Sequence, residues 1–443
     1  MTIGYARKAY RTGSLLAALW LAACSTAVFD VPGAEGNEAA YSALHPYYAE
    51  FCALSQIKKK QGFGADLRGQ VGGHAVFYLN GACRIAGLDY PVLAVCDGVD
   101  GQAPDGVGLS MNAHFLNAKW VATPGREFFF HGGLAPDAPV TRAAYAQVQD
   151  QAERLGIYDG IVFRPESFDV LPADWAARNR KYDPKYEVSV ATDYGISLGR
   201  GRYCARVPVT RAQMGAMVAF LNDQNAPYRS GERPFEWSVF TDNCIHLAHN
   251  ALAVAGIWDE WRINRPLLVS IFDFPVPKNE FVNLMRRTND LRLLDLARAW
   301  RDPAVQRSVL EFGRLPVTPG AIAEARAPQR PNDVYDTDLQ LIFYDDPLLG
   351  PYQGWFDALF ADPGTLDLQR NAAVFAAAYR KAEAERRPLA WWQAQPRYRD
   401  DAAFPAFYDR FYQIVADGLA RPASRPTLYW DGARNSSRGD PKL

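Results

Sequence analysis

The sequence predicts an α+β fold. Three observations carry that expectation. Short β-branched and aromatic runs closed by turn residues, such as His74-Ala75-Val76-Phe77-Tyr78-Leu79 before Asn80-Gly81, recur through the first half of the chain. Stretches with apolar residues at helical spacing are interleaved with them and take over after residue 278. Between the two regimes stands Thr241-Asp242-Asn243-Cys244-Ile245-His246-Leu247-Ala248-His249-Asn250, which reads as the opening turns of a helix.

The elements follow in order. Arg7, Lys8 and Arg11 precede the apolar run Ser14–Leu21, which is too short to span a bilayer and ends in Leu21-Ala22-Ala23-Cys24. That ending resembles the bacterial lipobox. The resemblance implies cleavage before Cys24, a lipid on its sulfur and, with Ser25 following, a periplasmic protein anchored in the outer membrane. A plain secretory leader with a chance cysteine is the alternative. No later run reaches ~20 apolar residues, so the lipid is the expected anchor. Residues 24–40 read as a tether. The spacing of Tyr48, Phe51, Cys52, Leu54 and Ile57 predicts a helix over 41–60, and Val71-Gly72-Gly73 a turn.

Strands are predicted at His74–Leu79, Pro91–Cys96 and Gly106–Met111. Asp97-Gly98-Val99-Asp100-Gly101 lacks the spacing of a calcium loop and reads as turns. Phe128-Phe129-Phe130-His131-Gly132-Gly133 suggests a buried strand with His131 at its exit. A helix is expected over Thr141–Leu155 and an irregular stretch over 169–185. Strands are expected at Ser189–Leu198 and Tyr203–Val209, joined by Gly199-Arg200-Gly201. Thr210 caps a helix through Met214, Met217, Val218, Phe220 and Leu221. Thr241 or Asp242 caps the next, whose stripe is Ile245, Ala248, Leu252 and Ala255, with Gly256 as its stop.

Pro275-Val276-Pro277 marks a boundary. Residues 278–320 and 340–420 read as helical, 321–338 as a linker and 432–443 as a tail. The organisation expected is a leader (1–23), a tether (24–40), a catalytic domain (41–275) and a mainly helical extension (276–443).

A net charge of −1 excludes an electrostatic grip on nucleic acid. Aromatic content of 13% is accounted for first by large aromatic cores. The six cysteines are Cys24, Cys52, Cys83, Cys96, Cys204 and Cys244. With Cys24 lipidated and Cys244 reactive, four remain. They make either two disulfides, in one of three pairings, or buried apolar contacts.

Cys244 is the candidate nucleophile. In the first turn of a helix the unpaired N–H groups and the dipole favour a thiolate. At ~100° per residue, His246 lies about 200° and His249 about 140° round the helix from it, so neither faces the sulfur. Cys244, His246 and His249 also lack the spacing of a zinc site, and no cofactor is expected. The base must come from elsewhere. His74 is the choice, at the head of a strand after two glycines, although a lone strand histidine is often only a satisfied core residue.

Gly73-His74-Ala75-Val76-Phe77-Tyr78 followed by Asp242-Asn243-Cys244-Ile245-His246-Leu247 resembles the circularly permuted NlpC/P60 group of papain-like proteins, which includes the lecithin:retinol acyltransferase-like enzymes. The resemblance covers roughly 46–260, with a long insertion. It implies an antiparallel papain-like sheet packed on the Cys helix, with His74 and Cys244 as catalytic pair. The family carries a third polar residue on the strand after the His. The spacing here departs from that pattern, leaving His114, Asn112 and His131 as candidates. Asn243 or the backbone N–H of Cys244 is the expected oxyanion donor.

The function expected is a cell-envelope thiol hydrolase that cleaves an amide or ester through an acyl-enzyme, with a cell-wall peptide as favoured substrate. A lipid acyltransferase or lipase with the same dyad and a non-catalytic envelope scaffold are the alternatives.

Overall fold

A computed structural model describes residues 24–27, 38–55, 58–60, 73–96, 106–135, 138–178, 183–190, 192–263, 276–336, 341–344 and 350–420. The expected leader, the turns at 71–72 and 97–101 and the tail from 432 lie outside the described residues.

The fold is α+β, built on a six-stranded, wholly antiparallel sheet. Its strands are β1 (Tyr48–Leu54), β2 (His74–Asn80), β3 (Gly106–Ser110), β4 (Val121–Pro124), β5 (Arg202–Pro208) and β6 (Ile322–Arg326), in the spatial order β6-β5-β1-β2-β3-β4. Both faces are covered. Ala49, Phe51, Ala53, Ala75, Phe77, Leu79, Tyr203 and Ala205 face one core. Tyr48, Cys52, Leu54, Val76, Tyr78 and Cys204 face another, closed by Phe129, Phe130 and Ile196. The alternation is the period-two geometry of a strand.

Six helices flank the sheet and a seventh marks a separate core. α1 (Glu38–Leu44) and α2 (Arg126–His131) flank the second face, and α3 is Arg142–Arg154. α4 (Arg211–Arg229) opens with a capping box in which Thr210 and Gln213 exchange side-chain and backbone bonds, a device that contributes about 1 kcal/mol. α5 (Cys244–Val254) packs on α4 and on β2. α6 (Pro277–Thr288) lies over β1 and β5, where Phe281 meets Tyr203 and Phe356. α7 (Phe404–Ala420) belongs to a separate helical core containing Leu293, Trp300, Phe375, Tyr379, Phe407 and Phe411. Among the described residues no helix is long and apolar enough to cross a membrane.

Several expected elements change type. The helix expected over 41–60 is α1 followed by β1, seven consecutive buried residues. A strand covered on both faces is apolar on both, so its period-two signal vanishes. The Phe128–Phe130 run is α2, stopped by Gly132 at φ 64°. Ser189–Leu198 forms a 3-10 turn, Gly195–Leu198, in place of a strand. The expected linker 321–338 contributes β6, which pairs with β5 from Ile322↔Arg206 to Arg326↔Arg202. The region after 276 thus completes the central sheet, and the boundary drawn at 275 does not separate two independent units. Of the expected tether, Cys24–Ala27 pairs with Leu341–Tyr344.

The four remaining cysteines form disulfides, Cys52–Cys204 and Cys83–Cys96. Cys52 and Cys204 stand directly opposite each other on β1 and β5, with Cα atoms 4.1 Å apart. Beside them on the same face lies a buried ionic network. Arg126 and Arg206 both hold Glu38 and Glu50, and Arg206 also holds Glu324.

Candidate functional site

The site forms where the head of β2 meets the start of α5. Ser238 and Asp242 exchange backbone hydrogen bonds of 2.9 and 3.1 Å, turning the chain into the helix. A buried ion pair of 2.8 Å from Lys119 Nζ to Asp242 anchors the turn. The N-cap is Asn243, in place of the expected Thr241 or Asp242. Its Oδ1 accepts from the N–H groups of Ile245 (2.8 Å) and His246 (3.3 Å), and its Nδ2 donates to the Val239 carbonyl (2.7 Å). The carboxamide oxygen is taken up by the cap and one of its two Nδ2 protons by Val239. His246 completes the cap through Nδ1 against the Asn243 N–H, 3.4 Å. His249 lies stacked between Trp258 and Trp261 and bonds Glu280, so both helix histidines are structural.

Cys244 is outside both disulfides and half-buried. The backbone N–H groups of Ala75, on β2, and of Cys244 and Ile245 favour the thiolate, although the Ile245 N–H donates to the Asn243 cap. The Ala75 donor is available because β3 pairs with β2 only from Asn80 to Phe77, two residues short of Ala75. The sulfur therefore meets β2 at the residue directly after His74. Burial pushes the thiol up to about 11, against the lowering effect of those N–H groups and of the Arg200 guanidinium. This corrects the expectation of an easily ionised thiol: desolvation outweighs the helix terminus. The imidazole is neutral as well, its pKa pushed down to about 3 by burial and by Arg200. The resting pair is thiol and imidazole, not thiolate and imidazolium. Among the described residues no hydrogen bond joins the two groups directly.

The ring of His74 is held by Ser110, at the end of β3, with Nε2 3.0 Å from Oγ. Ser110 donates in turn to Asp193 Oδ1 at 2.8 Å. A hydroxyl has one proton, so a Ser110 that donates to Asp193 accepts from His74 Nε2–H. That network assigns the Nε2–H tautomer and leaves Nδ1 with its lone pair. Asp193 is fully buried and also receives Tyr158 (2.9 Å) and Asn112 (3.2 Å). Burial raises its carboxyl to about 6 despite these donors.

Ser110 thus occupies the orienting position expected of His114. The ring of His114 bonds Ser167 at 2.9 Å and lies along Phe163, away from this chain of contacts. Asn112 reaches the site only through Asp193, and His131 sits at the end of α2 near Arg202. Sequence reasoning missed Ser110, Asp193 and Arg200. Arg200 lies one residue before the terminal Gly201–Ser55 backbone bond (2.9 Å) and donates Nε to the Ser55 carbonyl (2.5 Å). The glycines flanking it were the available signal for a close approach.

The groups present are a sulfur, an imidazole with a free ring nitrogen, a relay to a carboxylate, converging N–H donors and a buried guanidinium. Together they can run nucleophilic acyl transfer. Glu50, Cys52 and Cys204 also cluster closely, but both sulfurs are in the disulfide and Glu50 is held by arginines, so the cluster does not suit a metal. A scan against family models finds no match, and searches of curated proteins and of solved structures find no relative.

Proposed function

We propose that the chain is a thiol acyl-transfer enzyme of permuted papain type, working in the cell envelope as a hydrolase of amide or ester bonds. The observation that supports it most is the meeting of the Cys244 sulfur with the head of β2, where Ala75 N–H reaches the sulfur and His74 is the preceding residue.

In the proposed reaction the carbonyl carbon of the substrate approaches Sγ. His74 Nδ1 takes the thiol proton as the C–S bond forms. The carbonyl oxygen becomes an oxyanion, for which the Cys244 backbone N–H is the donor at hand. The imidazolium returns its proton to the leaving amine or alcohol as the C–N or C–O bond breaks. Water then cleaves the thioester with His74 again as base. Because neither group is ionised at rest, proton transfer and attack are coupled, and the Ser110–Asp193 relay stabilises the imidazolium that forms. Arg200 offsets the negative charge that develops on sulfur.

The sequence elements at 1–24 place this chemistry, under the proposal, at a lipid-anchored site in the periplasm, with cell-wall peptide as substrate. The test is direct. Purified protein is incubated with cell-wall peptide fragments and, separately, with phospholipid vesicles. Release of new amino termini that is lost in Cys244→Ser supports the peptide reading. Release of fatty acid instead supports the lipid reading, and turnover unaffected by Cys244→Ser overturns both.

A further inference from the structure

A cleft of about 440 Å³ opens where the last turn of α6 meets the helix Tyr352–Ala361. That volume lies within the range of small-molecule sites. Its lining includes none of the residues around Cys244. Met285, Trp355, Ala358 and Leu359 give it apolar walls.

Most polar side chains of the lining are spent on the protein itself. Arg287 grips Asp302 at 2.5 and 3.1 Å and donates Nε to the Ile257 carbonyl. Arg292 grips Asp290 at 2.5 and 2.8 Å. Asn289 donates to the Met285 and Ala321 carbonyls and accepts from Asn371. Thr365 donates to the Leu359 and Asp362 carbonyls.

Two opposite charges are left over. Arg286 is exposed and enters no hydrogen bond or ion pair among the described residues. Its guanidinium lies 3.5 Å over the Trp355 ring. The indole is itself held in place: Tyr352 meets it edge-on at 5.1 Å, and a Cβ on Gly350, at φ 110°, would strike it. A stacked guanidinium keeps the N–H groups at its rim open to other acceptors. Asp362, also exposed, spends Oδ1 on the Gly364 N–H at 2.8 Å, and its Oδ2 has no hydrogen-bond partner among the described residues. Trp355 and Asp362 share one face of their helix, with Ala358 and Leu359 between them. They stand two turns apart, about 10 Å along the axis. A hydrogen bond of about 3 Å at each end leaves several ångström, the span of the two charges of an amino acid or a dipeptide.

We propose that this cleft binds a small zwitterion with an apolar body. Arg286 takes its carboxylate, Asp362 its ammonium, and Ala358 and Leu359 pack against its side chain. A simple anion would meet Asp362 unpaired, and a simple amine would meet Arg286, so a ligand with both charges is the one that satisfies both ends. The site is separate from the acyl-transfer centre and stands without it.

Matched ligands test it. Leucine and glycyl-leucine are titrated calorimetrically against the full chain. 4-Methylpentanoate and 3-methylbutylamine, which keep the body and one charge each, are titrated beside them. The better zwitterion is expected to bind about tenfold tighter than either single-charge analogue, the worth of one charge-assisted hydrogen bond. Arg286→Gln reduces it to the level of the amine. Asp362→Asn, which keeps the cap, reduces it to the level of the acid. Unchanged thermal melting checks the folding of both variants. Cys244→Ser binds as the native protein does. An acid or an amine that binds as tightly as the zwitterions overturns the assignment, and so does the absence of binding by all four. Zwitterion binding that survives both cleft variants, or is lost in Cys244→Ser, belongs elsewhere and overturns the cleft.

Discussion

The electrostatics of Cys244 lead to a prediction opposite to the usual expectation for a helix-terminal cysteine. Burial lifts the thiol from an ordinary 9 to about 11, and the three N–H groups and Arg200 recover only part of that cost. A thiol held up near 11 is almost wholly protonated at pH 7. Iodoacetamide reacts with thiolate alone. Its rate at Cys244, read by mass spectrometry of the Cys244 peptide, should be about a hundredfold below that of an ordinary protein thiol at neutral pH. It should climb tenfold per pH unit without a plateau until about 11. Arg200→Gln should lower it further, because Arg200 favours the anion. His74→Ala should leave it within about twofold, because a neutral ring offers the sulfur no positive charge. A plateau below about pH 8, or a large loss in His74→Ala, would refute the reasoning and show a resting ion pair.

Further outcomes follow from the same geometry. His74 is held neutral down to about pH 3 when folded but charges near 6.5 when unfolded, so the unfolded chain binds the extra proton and stability falls as pH drops from 6.5 toward 3. Asp193, raised from 3.8 to about 6, works in the opposite direction over its own interval but by a smaller shift, so His74→Asn should flatten the acid limb of a denaturant-midpoint profile. An unchanged limb would contradict the burial of the ring. The Cys52–Cys204 bond joins residues 152 apart, and chain-entropy reasoning gives it about 5 kcal/mol against about 3 for Cys83–Cys96, 13 apart. The Cys52→Ala/Cys204→Ala protein should therefore melt well below the Cys83→Ala/Cys96→Ala protein, and the reverse order would contradict the pairing. Ser110→Ala should cut acyl transfer by about ten- to a hundredfold with iodoacetamide alkylation unchanged, and Ser110→Thr should restore most of it, since the role is to fix the ring and its tautomer. Equal losses in both assays would mark Ser110 as merely structural.

Much of the site was legible because its signals are local. A cap, an apolar stripe and Gly256 place Cys244 in a first turn, and Gly73 before a β-branched run places His74 at a strand head. The partners of His74 were not legible, because the contact from Ser110 to Asp193 spans 83 residues and Asp193 lies in a stretch whose alternation reads as a strand but which folds as turns. His114 drew attention as a titratable residue near the right strand, but the group that fits beside the ring is a short hydroxyl able to pass a hydrogen bond onward. The thiol's pKa failed for a related reason: sequence shows the helix terminus and not the burial around it. Strand β1 was misread because a central strand covered on both faces loses alternation, and β6 because an edge strand after a proline-rich run looks like a linker.

The central claim is that Cys244 accepts an acyl group with His74 as its base. The most direct measurement is intact-mass analysis of the protein after brief exposure to p-nitrophenyl acetate near pH 7, with the modified residue located by peptide mapping. The account predicts one acetyl group on Cys244, absent in Cys244→Ser and formed about a hundredfold more slowly in His74→Ala. An acetyl group that forms elsewhere, or on Cys244 at the same rate without the imidazole, would contradict it.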